Sequence, residues 1–196
     1  MMNKSTLIHA VLGTAMLALC GCQSAPTRIH TLELAAPAAR VDSYRAPPLR
    51  IDAVHIPLGW DRVEILSPTG AGELKIDDFD RWSAPLAQLV RQVLSGDLET
   101  RLPPGMVVYP HLPKPAAALG INVDILEFSL DSSQGSMSVG WSITPAEGSQ
   151  GARRDVALLH TPVTSSDPAA VARAWSNLLG QLADRIAADA AQFSAP

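Results

Sequence analysis

Cysteine is almost missing from this 196-residue chain: there are two, Cys20 and Cys22, close to the N-terminus. With none elsewhere, the sequence carries neither a disulfide framework nor a cysteine metal set, because both need partners spread along the chain. Long hydrophobic runs are scarce too. The apolar stretch from Leu7 to Leu19 is interrupted by His9, Gly13 and Thr14. It is shorter than the about 20 apolar residues a membrane span takes, and no second stretch could cross. Basic charge is also in short supply. Lys and Arg number 15 against 19 Asp and Glu, a formal net charge of −4. The basic face that nucleic acid demands is therefore not expected. Charged residues make up 17% and hydrophobic ones 47%, a balance that argues against disorder and for a globular chain.

Catalytic signatures are lacking as well. There is no G-x-S-x-G elbow to mark a hydrolase serine. "TGAGEL", Thr69 to Leu74, has two glycines but no lysine and no helix after it, so it reads as a hairpin rather than a phosphate loop. His30, His55, His111 and His160 have no metal-ligand spacing. "DDFDRW", Asp77 to Trp82, lacks the glycine and distal glutamate of a calcium loop. Its place just before a predicted helix suits capping, where acidic groups favour the positive end of the helix dipole. No cofactor and no metal is expected. The remaining route to catalysis is a cleft that gathers His55 or His160 with Asp77 or Asp80.

What is present begins with the two cysteines. Asn3 and Lys4 open a weakly basic start, and the apolar run after them has the length of a signal-peptide core. The run ends Leu19-Cys20-Gly21-Cys22. This resembles the lipobox of bacterial lipoproteins: a leucine, two small residues, then the acylated cysteine. The resemblance implies cleavage between Gly21 and Cys22 and a diacylglyceryl thioether on Cys22. Gln23 follows where aspartate would retain an enteric-type lipoprotein in the inner membrane, so the outer membrane is implied. Two or more acyl chains make a firm anchor, at about 0.8 kcal/mol per buried methylene. About 170 residues then remain, one ordinary domain. Loss of Lys4 takes the net charge to −5.

Residues 1–21 are thus expected as signal and 22–48 as an alanine- and proline-rich tether. Within the tether, "RIHTLEL", Arg28 to Leu34, suits a short edge strand. A single domain follows over 49–196. Strands are predicted at Leu49 to Pro57, Val63 to Leu66 and Glu73 to Asp77. A helix follows with Ser83 as cap, Pro85 in its first turn, and a stripe of Leu86, Leu89, Val90, Val93, Leu94 and Leu98. Gln88, Arg91, Gln92 and Ser95 face away from that stripe. Leu119 to Leu130 alternates apart from a phase slip near Glu127, which predicts a bulge. Met137 to Thr144 alternates too, and Arg153 to Thr161 is the return strand. A second helix is capped by Asp167, starts at Pro168, and buries Val171, Ala174, Trp175, Leu178, Leu182 and Ile186. The sum is α+β: a mixed, largely antiparallel sheet of about five to seven strands, with two long helices packed on one face. Trp82 and Trp175 are expected in the core. Trp60, in a turn, is the tryptophan expected to be exposed and to contact a partner or lipid.

Four segments carry a resemblance to a family. "RIHTLEL", "IDAVHIPLGWDRVEI", "DDFDRWSAPLAQLVRQVLSGDL" and "VARAWSNLLGQLADRIA" together resemble the ABC-type transport auxiliary lipoproteins, the PqiC/YmbA group. The third is the most specific, with its arginine-tryptophan pair followed by a small residue, alanine, proline and leucine at the start of a helix. Gly59-Trp60 departs from the family pattern, which more often has an aromatic or polar residue and leucine. The resemblance implies a non-enzymatic, periplasm-facing protein anchored in the outer membrane. It would dock an MCE-domain protein of an envelope lipid transport system, as a homo-oligomeric ring. The alternative is another envelope adaptor, such as an activator of peptidoglycan synthesis or a pilot for a secretin. A lipid held between the helices and the sheet would be compatible with the first reading and would need an apolar pocket there.

Overall fold

The computed structural model describes residues 25–70, 73–131, 133–145 and 151–193. Cys22, the signal segment and its cleavage site lie outside these residues. The described chain forms β1 (Arg28–His30), β2 (Leu49–His55), β3 (Glu64–Gly70), β4 (Glu73–Trp82), α1 (Leu86–Arg101), β5 (Leu119–Leu130), β6 (Gln134–Thr144), β7 (Arg153–Pro162) and α2 (Pro168–Ala190). The α+β class is as expected, with seven strands and two long helices among the described residues. The strands divide between two sheets, β1-β4-β3 and β2-β5-β6-β7. In each sheet one edge strand, β1 or β2, runs parallel to its neighbour, and the remaining pairs are antiparallel.

Alternation builds the four-stranded sheet. Ile121, Val123 and Ile125 of β5 stand opposite Ile143, Trp141 and Val139 of β6, and all six are buried. The register shifts between Ile125 and Glu127, so Leu126 is the bulged residue and Phe128 returns to the core face. This is the phase slip seen in the sequence. Helix α2 begins where its cap predicts: Asp167 Oδ1 accepts the Ala170 amide at 2.7 Å, and Pro168 follows. Its apolar stripe is buried as expected. α2 packs on α1, β6 and β7, while α1 packs on β2.

Helix α1 departs from its reading at both ends. It starts at Leu86, after Pro85, and no side chain of the neighbouring sequence caps it. Ser83 has no capping role. Instead Asp61, in the β2–β3 turn, accepts the Ala87 amide at 3.0 Å. Further along, Ser95, expected to face away from the apolar stripe, is buried, as are Gly96 and Asp97 beside it. The residues covering that side come from the segment expected to be tether.

Residues 31–46 form a strap across the two helices. Leu32, Tyr44 and Ala46 join the core. The strap backbone is held by helix side chains and a helix end. Ser176 Oγ accepts the Glu33 amide at 3.1 Å, Asp97 Oδ1 the Ala35 amide at 2.8 Å, and Asp184 Oδ1 the Ala38 amide at 3.2 Å. The Val41 amide donates to Arg101 O at 2.8 Å. Satisfying these groups lets an irregular segment lie against a helix pair without orphaned backbone. The domain therefore takes in most of 22–48, and β1 is the edge strand expected there.

Arg101 is the hub of this contact. It is fully buried. Its guanidinium donates to Asp184 Oδ1 at 2.7 Å, Asp97 O and Gly180 O at 2.9 Å each, and the Ala35 and Ala36 carbonyls at 3.3 and 3.4 Å. One residue thus ties α1, α2 and the strap together, a task that suits the rigid multi-donor fork of arginine. Asp97 sits beside it, with Oδ1 3.6 Å from the guanidinium. Asp97 Oδ2 is buried without a hydrogen-bond partner among the described residues. Burial pushes its carboxyl up to about 6. The folded value lies above the unfolded one, so the ionised carboxylate opposes folding at pH 7. That opposition fades as pH falls through 6 toward the ordinary carboxylate range. Between pH 7 and 5 the protein is expected to gain about 1 kcal/mol from this group. Asp97→Asn should keep the Ala35 contact and lose this pH dependence, as read by urea unfolding at the two pH values.

Candidate functional site

The acidic cluster Asp77 to Asp80 lies within β4, and its members do different things. Asp80 is 2% exposed. It accepts a two-pronged ion pair from Arg28, Nε to Oδ1 at 2.8 Å and Nη2 to Oδ2 at 2.6 Å, and its Oδ1 lies 2.6 Å from His30 Nε2. The Arg28 hydrogen bonds hold its carboxyl below the usual range. Asp80 thus fastens β1 to β4 and caps no helix. Asp77 pairs with Lys75 at 3.0 Å. Trp82 is buried in the core, as expected, and its amide bonds Val63 O.

The pairings that would have made a catalytic cleft do not form. Asp80 meets His30, and His55 meets Asp124, its cross-strand neighbour, at 2.9 Å on an exposed site. Among the described residues neither His55 nor His160 bonds Asp77 or Asp80, and no three His, Cys, Asp or Glu side chains group as a metal site. The space between helices and sheet is filled by side chains that are fully buried, among them Leu94, Leu98, Leu178, Leu182, Ile121 and Met137. Cavities open elsewhere. One of about 460 Å³ lies between the strap and α2, beside His30, Arg173 and Asn177. One of about 710 Å³ lies beside Asp52, Lys114 and Asn122.

Surfaces for contact are better defined. Trp60 is half-buried, its ring edge-on to Phe128 at 5.4 Å, and Phe128 stacks on Trp175 at 4.6 Å. The aromatic ladder draws the Trp60 ring inward and leaves its turn neighbour Leu58 97% exposed. This turn precedes β3, so it lies at the opposite end of the three-stranded sheet from the β3–β4 hairpin tip. The second surface is β7, an edge strand. Val156 and Leu158 are exposed on its open face, 65% and 60%. Part of its outer edge is already occupied: the Val156 amide donates to Asp155 Oδ1, and Gln181 Nε2 donates to His160 O, both at 2.8 Å. None of these features was legible beforehand except the exposure of the turn itself, because alternation names faces and not partners.

No helix among the described residues is long and apolar enough to cross a membrane. No curated protein matches the sequence. Two crystal structures share the fold. One, of an uncharacterized protein, aligns with a TM-score of 0.69 at 17% identity over 84% of this chain and 99% of that one. The other, a DUF330 protein of Xanthomonas campestris, aligns with a TM-score of 0.61 at 15% identity over 81% of this chain and 92% of that one. The family model described as "ABC-type transport auxiliary lipoprotein component" matches residues 30–187. That span takes in the strap, β2 to β7, α1 and nearly all of α2, and the chain belongs to the ABC-type transport auxiliary lipoproteins, which are not an enzyme family.

Proposed function

We propose that this protein is an outer-membrane lipoprotein, acylated at Cys22 and facing the periplasm. In this reading it is the auxiliary subunit of an MCE/ABC-type envelope lipid transport system and docks the MCE conduit at the outer membrane. The family match over residues 30–187 carries the reading. The layout supports it. β1 runs away from the β3–β4 hairpin and lies beside the opposite end of the sheet, where the Leu58–Trp60 turn also sits, so the chain comes into β1 from the hairpin side. An anchor at one end leaves that turn free to meet a partner arriving from the periplasm. The exposed Val156 and Leu158 of β7 supply an edge through which copies could join in a ring.

The test places a photo-crosslinking residue at Leu58 in the full-length, membrane-anchored protein and identifies what is captured by mass spectrometry. An MCE-domain protein or its ABC permease is the expected product. A peptidoglycan synthase or a secretin in its place would overturn the transport reading. Lipidation is checked separately: Cys22→Ser should abolish acyl labelling, and persistent labelling would remove Cys22 as the acceptor.

A further inference from the structure

The strap changes how far the domain can stand from its membrane. Six residue steps separate Cys22 from Arg28, where β1 begins, and six steps reach at most about 20 Å when fully extended. Because β1 runs parallel to β4 and Arg28 lies opposite Asp80, the chain enters β1 from the side on which the earlier residues of β4 lie. Those residues, back to Glu73, extend about 23 Å beyond Asp80 at strand rise. The β3–β4 hairpin therefore lies on the side from which the chain enters β1, and it extends about as far beyond Arg28 as six residues can reach.

The hairpin is apolar on the wrong side for a soluble protein. Ile65 faces the core cluster and is fully buried. Leu66 and Ile76, opposite each other in the ladder, lie on the other face by strand alternation; Leu66 is buried there, and Ile76 is open. Leu74 shares that face. Leu74 and Ile76 are 42% and 44% exposed, and Phe79, in the irregular stretch of β4 before Arg81, is exposed as well. The nearby cation is already neutralised, Lys75 on Asp77 at 3.0 Å. A patch of this kind, held within linker reach of a bilayer, has its occupant beside it.

We propose that the β3–β4 hairpin is a second membrane contact, with Leu74 and Ile76 seated among the headgroups and upper acyl chains of the leaflet that holds the Cys22 lipid. The contact rests on the anchor at Cys22. It fixes the orientation of the domain: hairpin toward lipid, Leu58 turn toward the periplasm. A single flexible linker would leave that orientation free.

The experiment uses full-length protein, purified with its lipid and reconstituted into phosphatidylethanolamine–phosphatidylglycerol vesicles. Leu74→Cys, Ile76→Cys and, as reference, Leu158→Cys on β7 each receive an environment-sensitive fluorophore. Flotation with the vesicles reports the anchor, and quenching by brominated lipid reports depth. Labels at positions 74 and 76 should shift to the blue and be quenched at least twofold more than the label at 158. Protein that floats while the labels at 74 and 76 behave like that at 158 would overturn the hairpin contact and leave the anchor standing. Protein that fails to float would overturn the anchor, and the hairpin contact with it.

Discussion

Arg101→Ala is expected to lower the free energy of unfolding by about 3–5 kcal/mol, the range for breaking a buried ion pair from one side. Alanine would leave Asp97 and Asp184 without their cation, and the carbonyls of Ala35, Ala36 and Gly180 without the donor that Arg101 supplies. Against a typical total of about 5–15 kcal/mol, that is a large share. Urea unfolding measures it. Limited proteolysis locates it, because cleavage should appear first between residues 33 and 41, where the strap loses its hold. Arg101→Lys should recover little. An ammonium is a point charge with three donors and cannot span the acceptors that the planar fork reaches on three segments. A lysine variant as stable as the parent would mean that the strap is held by its apolar contacts alone.

The second large effect is expected at Gly180. A Cβ placed there would overlap Ala35 Cβ, which is fixed to the strap backbone and cannot rotate away. Glycine to alanine inside a helix ordinarily gains about 1 kcal/mol. Here overpacking costs about 1–3 kcal/mol, and a strap pushed outward also weakens the hydrogen bonds of Ala35 and Ala36 with Asp97 and Arg101. Gly180→Ala should therefore destabilise by about 2 kcal/mol. Gly96→Ala is the control. Its new Cβ meets only the end of the Leu34 side chain, at 2.7 Å, and that side chain is largely exposed and free to swing. Gly96→Ala should gain up to about 1 kcal/mol. Two identical substitutions with opposite signs, measured by thermal unfolding, would show that the strap is seated on α2 and α1 as described. Equal effects would contradict it.

With the strap seated, the reach from Cys22 to the domain is at most about 20 Å. Release of the strap alone leaves that reach unchanged, because Arg28 still holds Asp80; only if β1 came away too, back to Ala46, would the reach grow to about 80 Å.

Wherever a signal repeats along the chain, the sequence by itself determined the outcome. The 3.6-residue stripe from Val171 to Ile186, with Asp167 and Pro168 before it, specifies α2, its buried face and its start. Alternation over Leu119 to Leu130 and Met137 to Thr144 specifies the central strands and even the bulge beside Glu127. These are local properties: a periodic stretch has a core face whatever it packs against. The tertiary structure decided the rest. Residues 31–46 have no period, and their partners Ser176, Asp97, Asp184 and Arg101 lie 60 to 146 positions away, so they read as tether until the helices are in place. Asp80 reads as a helix cap and becomes the clamp for β1, because the arginine that claims it lies 52 residues earlier. Asp61 becomes the cap of α1 for the same reason, and Trp60 turns inward because Phe128 is there to receive it. Side-chain to backbone pairs between distant segments leave no periodic trace in a sequence; they exist only once the chain has folded and brought their ends together.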